Sequence, residues 1–224
     1  MEQSNAAQTE EATSSNLPFV DHFRKIRQNP KWIVKLIVLI VLSIILGLLT
    51  AHITDNTKML KDMGMSQSEI DKQNQFNLAV TIGQSIGGLI LGLLITFVIF
   101  LVISKIMKSD AQAIHIISAS ISYLIITTSF SIIVYAIQAL FGLTIPETQL
   151  DSLNIFDKGN NYLAAFSLSN LLAAYIIFTV YYGTSKLSKK ASIIWAVIAL
   201  IVMVGFTLGG AAFTESMKGL ANMQ

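Results

Sequence analysis

Residues Ile33–Ile53 read IVKLIVLIVLSIILGLLTAHI, and this stretch decides what kind of fold the chain can have. Its one formal charge is Lys35, close enough to the start for the ammonium to snorkel toward water along its own methylene stem. About 20 apolar residues in a helix reach across the hydrocarbon core of a bilayer. Just upstream, Asn29-Pro30 has the form of a helix start, with Asn as cap and Pro at the first helical position. Trp32 follows where an interfacial aromatic belongs. A secretory signal would have a shorter apolar core and a small-residue cleavage site. Here the run starts some thirty residues into the sequence and Thr50-Ala51-His52 is a poor cleavage motif, so a retained span is expected.

The rest of the chain repeats this pattern. Hydrophobic residues make up 53% and charged residues 12% of 224 residues, about half the charge of a soluble domain. Such a composition cannot cover a globule with polar surface, so lipid is its expected solvent. The net charge of +2 does not point to nucleic acid, because no basic face with interleaved aromatics occurs. With no cysteine, disulfides, thiolate metal sites and cysteine nucleophiles are excluded. The Ile-rich, Lys-rich composition fits a bacterial source.

Working outward from Ile33–Ile53, residues 1–17 are polar and small and read as a disordered tail. Residues 18–30 place Phe19, Val20, Phe23 and Ile26 at helical spacing, with Arg24, Lys25 and Arg27 on the basic side. That is the pattern of an amphipathic helix lying at the membrane surface. Residues 31–214 form the membrane domain, with spans expected at about 33–53, 78–104, 113–143, 162–183 and 191–213, and 215–224 as a short tail. Between the first two spans, Ser66-Gln67-Ser68-Glu69 has the form of a capping box. Ser109-Asp110 is placed to cap the third span. Lysine and arginine concentrate beside span ends on the side that carries the N-terminus. This predicts the N-terminus inside and the C-terminus outside. The expected fold is all-α: a polytopic membrane helical bundle with about five transmembrane helices.

The span interiors limit function by what they lack. None carries Asp, Glu, Lys or Arg at mid-depth, and all three prolines (Pro18, Pro30, Pro146) lie outside them. Intramembrane charges mark proton relays and ion paths, and broken helices mark many carriers, so a proton-coupled carrier is disfavoured. His22, His52 and His115 are widely separated, and neither a metal-binding cluster nor a base beside a mid-depth serine occurs. No catalytic residue, cofactor or metal site is expected.

Two features could carry function instead. Gly83/Gly87 and Gly88/Gly92 in the second span, and Gly205/Gly209 in the fifth, have the small-xxx-small spacing that lets helix backbones approach closely. They are candidates for packing within the bundle, or for binding a membrane-protein partner or a second copy. Polar side chains gather in the third and fourth spans. Ser122, Thr127, Gln138 and Asn170 are the candidates for a polar groove, and interhelical hydrogen bonding is the plainer reading.

The order of features resembles the bacterial branch of the YIP (Ypt/Rab-interacting protein) domain family. The matching pieces are the lead-in ending in NPKW, the loop ending in SQSEIDKQNQF, and the basic loop KIMKSDAQ. AIHIISASISYL, the YYG ending and the connector TSKLSKK complete the set. Many bacterial relatives carry a proline in the third span, whereas Ser118–Gln138 has none. The resemblance implies a compact multi-pass bundle in the cell membrane without known chemistry. It transfers no site residues. From the paired small-residue faces, the basic interfacial helix and the absence of buried charge, the chain is expected to be a non-enzymatic scaffold or adaptor for other membrane proteins or lipids. The alternative is a permease or export component for a neutral or amphipathic solute, working with a separate ATPase.

Overall fold

The computed structural model describes residues 15–221, so the expected tail over 1–17 lies almost wholly outside the described residues. Within them the chain is a helical bundle, with isolated bridges but no strand. Helix α1 (Val20–Gln28) leads into α2 (Ile33–Ile53). Two short helices, α3 (Thr57–Asp62) and α4 (Gln67–Gln73), connect it to α5 (Leu78–Ile106) and then α6 (Ala113–Leu140). Helix α7 (Leu168–Thr179) runs without a break into a π-helical turn, Val180–Thr184, and α8 (Lys189–Ala221) closes the chain.

Among the described residues four helices are long and apolar enough to cross a membrane: α2, α5, α6 and α8. The expected span over 162–183 is shorter, an apolar helix from Leu168 to Thr184. Seventeen residues rise about 26 Å, at the short end of what crosses a bilayer. The start is delayed by hydrogen bonding. Residues 163–165 form a 3-10 turn, and Leu168 N–H donates to the Asp151 carbonyl at 2.7 Å. Ser167 caps α7 through the Asn170 N–H at 3.2 Å. At the other end of the chain, α8 continues past the expected limit at 213. Thr214 and Ser216 donate back to the carbonyls of Gly210 and Ala212, in keeping with unbroken helix.

Two expected helix starts also move. Asn29 closes α1 rather than opening α2: its N–H donates to the Lys25 carbonyl at 2.9 Å, and α2 begins at Ile33. Ser109-Asp110 does not cap α6, because both side chains are occupied elsewhere; Gln112 stands at the cap position. The capping sequence at Ser66 does start α4, with Ser66 N–H donating to Glu69 Oε2 at 2.8 Å.

Helix α6 is the centre of the bundle. It packs on α2, α5 and α7, and it buries Ile116, Ser118–Ser122, Val134 and Gln138. The aromatic core lies between α5, α6 and the π turn, where Phe100 makes edge contacts with Tyr123 and Tyr181 at 5.5 Å each. Helix α2 crosses α5 at Gly47. A Cβ built there would lie 1.8 Å from Ser85 Oγ, so with serine at 85 the close approach requires glycine at 47. The outer flanks of α2, α5 and α8 expose Val, Ile, Leu and Phe along their length, as a lipid-facing surface requires.

At the end of the bundle away from α1, the 141–167 connection is tied down by side chains. Gln138 lies fully buried at the end of α6. Its amide donates to the Thr148 carbonyl at 3.1 Å and accepts from Leu150 N–H at 3.1 Å, as a neighbouring strand would. Ile145 pairs with the last turn of α2 through Asp55 N–H and its own N–H. Asp151 receives Ser169 through both N–H and hydroxyl.

Candidate functional site

The opposite end of the bundle gathers the basic residues. Helix α1 was expected to rest its apolar face on lipid, but the structure buries that face in protein. Val20, Phe23 and Ile26 are almost fully covered, with Phe23 and Ile26 in the main core alongside Tyr181 and Leu187. What admits the helix is Gly183 in the π turn. An added Cβ there would fall 2.9 Å from Phe23 Cβ, 3.1 Å from the Val20 carbonyl oxygen and 3.2 Å from the Arg24 amide nitrogen. The π turn also bonds to α1: Thr184 hydroxyl donates to the Phe23 carbonyl at 2.9 Å, and Arg27 donates to the Thr184 carbonyl at 3.0 Å.

The three basic residues assigned to the membrane surface therefore diverge. Arg24 pairs with Asp21 at 3.2 Å and lies 5.5 Å from the centre of the Tyr182 ring. Arg27 turns inward to Thr184 and forms an ion pair with Asp110 at 2.5 Å. That guanidinium, by hydrogen bonding, holds the Asp110 carboxyl below the ordinary carboxylate range. Lys25 alone of the three is exposed and, among the described residues, forms no ion pair. Ser109 and Ser104 complete the junction by hydrogen bonds to the Ser185 carbonyl at 2.6 Å and the Ser185 hydroxyl at 2.8 Å. Both short connectors and α1 are thus tied together by hydrogen bonds and an ion pair.

Beside this junction, between α2 and α6 and under the Ser15–Phe19 segment, is a cavity of about 660 Å³. Lys35 lies in it. Instead of snorkelling outward, its Nζ donates to Ser122 Oγ at 2.9 Å and to Ser118 Oγ at 3.5 Å. Among the described residues no carboxylate comes within ion-pair distance of it. Asp21 also lines the cavity, but its oxygens accept Ser15 N–H at 3.2 Å and Arg24 at 3.2 Å. His22 stands alongside, its pKa lowered by loss of water around the ring and then by the Lys35 and Lys25 charges.

The four candidates for a polar groove are not brought together. Ser122 belongs to the Lys35 cavity. Thr127 donates back to the Tyr123 carbonyl at 3.0 Å within its own helix. Gln138 fastens the 141–167 connection, and Asn170 donates to the Ala165 carbonyl at 2.9 Å while lining an apolar groove between α7 and α8. A polar cavity does exist, lined by none of the four groove candidates but walled in part by Gly88 and Gly92. It measures about 710 Å³ and opens between α2, α5 and the α4–α5 link. Thr50, Asn77, Thr81, Gln84, Ser85 and Thr128 line it, with no charged residue. Its signal in the sequence was polar residues in α2 and α5 at positions facing one another, which no single helix reveals.

The glycine pairs show the reverse. A Cβ at Gly83, Gly87, Gly88, Gly92, Gly205 or Gly209 would meet nothing within 4 Å. Among the described residues none of them meets a neighbour in this way; the two glycines that do, Gly47 and Gly183, were not among the paired motifs. Buried polar side chains, by contrast, all have partners among the described residues. The Yip1 domain family model matches residues 18–210, which takes in everything from α1 to the last third of α8. No curated protein and no solved structure matches the chain.

Proposed function

Because the chain belongs to the Yip1 domain family of membrane proteins, we propose that it is a non-enzymatic scaffold that holds other membrane proteins or lipids beside it. It would sit in the cell membrane of a bacterium, crossing five times with the N-terminus inside. One observation carries this reading: among the described residues Gly83/Gly87 on α5 and Gly205/Gly209 on α8 have nothing within 4 Å of an added Cβ, while Gly88/Gly92 wall the cavity between α2 and α5. Inside lipid, helices associate through close backbone contact rather than a hydrophobic drive, and small-xxx-small faces are where that contact forms. Two such faces left unused are surfaces available to another helix. Gly87→Leu and Gly209→Leu should therefore remove partners from crosslinked native membranes, while the bundle itself stays folded. If both variants keep every crosslinked species, the scaffold reading fails.

The uncharged polar cavity between α2 and α5 favours a second reading, a permease or export component for a neutral or amphipathic solute. A chain without cysteine makes the test direct. Single cysteines at Thr81, Ser85 and Thr128 should react with a membrane-impermeant maleimide if water fills the cavity. Silence at all three would dismiss an aqueous route.

A further inference from the structure

The cavity holding Lys35 has features that the scaffold reading does not use. Lys35 is the third residue of α2, so it lies about 3 Å of helix rise from Ile33, near headgroup depth rather than in the hydrocarbon centre. A lysine inside a span is costly unless a partner offsets its charge. Here the neighbours are two neutral hydroxyls, and the cavity carboxylate Asp21 is taken by Arg24 and by Ser15 N–H. Ser120 and Thr127 spend their hydroxyl protons on the carbonyls of their own helix. Ser122 makes no such bond, so its O–H remains a donor next to the ammonium.

The walls add direction. Helices α2 and α6 both run from this end toward the opposite one, so Val38 lies deeper than Lys35 and Ile125 deeper than Ser122. Val34 and Val38 are 70% and 43% exposed, which opens the cavity sideways to the lipid-facing flank. The cation thus enters from near headgroup depth and meets a hydroxyl donor about 13 Å of helix rise into α6, with apolar walls descending further into the leaflet.

We propose that this cavity, between Lys35 and Ser122 and the Val34–Val38 and Ile125 walls, binds one anionic membrane phospholipid from the leaflet next to α1. Its headgroup phosphate would accept from Lys35 and Ser122, and its acyl portion would lie along the valine and isoleucine walls. A charge-assisted contact of this kind is stronger than a neutral one. The assignment is independent of the glycine faces, so either can fail alone.

The test uses the full chain reconstituted in an equal mixture of phosphatidylglycerol and phosphatidylcholine, extracted in mild detergent and weighed with retained lipid by native mass spectrometry. Wild type should retain phosphatidylglycerol and phosphatidylcholine at about 5:1 against the bulk 1:1, the effect of one lysine near a membrane surface. Lys35→Gln should abolish the preference; Lys35→Arg should keep it, and Lys31→Gln, at an exposed lysine nearby, should leave it unchanged. Val38→Trp, which fills the cavity from the lipid side without touching the charge, should expel the lipid. An unchanged preference in Lys35→Gln or Val38→Trp would overturn the site. So would an equal loss in Lys31→Gln, which would mean diffuse surface charge. Displacement by millimolar glycerol phosphate would show a site for soluble phosphates and would overturn the lipid assignment.

Discussion

Replacing Gly183 by alanine should loosen α1 from the bundle. The new Cβ would meet Phe23 Cβ at 2.9 Å, the Val20 carbonyl oxygen at 3.1 Å and the Arg24 amide nitrogen at 3.2 Å. Two of those three atoms are backbone and the third cannot rotate, so no rotamer change relieves the contact. Forcing one extra carbon into a packed site costs about 1–3 kcal/mol. Alanine recovers up to about 1 kcal/mol of helix propensity relative to glycine. The net effect is about 1–2 kcal/mol against docking, or roughly a 5- to 30-fold rise in the undocked population. Ile26→Cys supplies the reporter, because Ile26 is 3% exposed and the chain has no other cysteine. With that reporter in place, Gly183→Ala should speed labelling by a soluble maleimide over this range. Gly87→Ala, where nothing lies within 4 Å, should leave it unchanged. Equal rates in the Gly183→Ala variant and its parent, or equal acceleration by Gly87→Ala, would refute the close-fit argument.

Gln138→Leu should release the 141–167 connection. The Thr148 carbonyl and Leu150 N–H lose their partner together, at about 1–3 kcal/mol for an unsatisfied buried group, and proteolysis between residues 144 and 161 should accelerate. Acidification should weaken the α1 end through His22. Its folded pKa lies below the ordinary value of about 6.5, so the unfolded chain binds the proton more readily. Stability is therefore full above that ordinary value and falls as pH drops through it toward the folded pKa. The unfolding midpoint of wild type in detergent should drop more between neutral and mildly acidic pH than that of His22→Gln; parallel curves would rule His22 out.

What the sequence revealed and what it concealed divide along the range of the interactions. The spans of α2, α5 and α8 are continuous apolar runs, and lipid selects them locally, so Ile33–Ile53 reads directly as a helix. The Val20, Phe23 and Ile26 face was also visible as a period. Its destination was not, because an apolar stripe looks the same whether lipid or the π turn at Gly183 covers it. The inward Lys35 depends on two serines more than 80 residues away, Ser118 and Ser122. Gln138 was recognised as needing a partner across helices, yet it found two in a loop, a choice that only tertiary closure makes. The glycine motifs left two readings open for the same reason. Spacing alone says that a face can be approached closely, not that anything in this chain approaches it.

The crowding at two glycines bears on how the protein can vary. At Gly47 the neighbour is a side chain, Ser85, whose Oγ lies 1.8 Å from an added Cβ. A larger residue at 47 can be accommodated by a smaller one at 85, so these positions should change together across relatives. At Gly183 two of the neighbours are the Val20 and Arg24 main chain, which no substitution can shrink. Position 183 has no partner to trade volume with. Lineages that keep α1 docked should hold glycine there, and those that lose the glycine should have lost the dock as well.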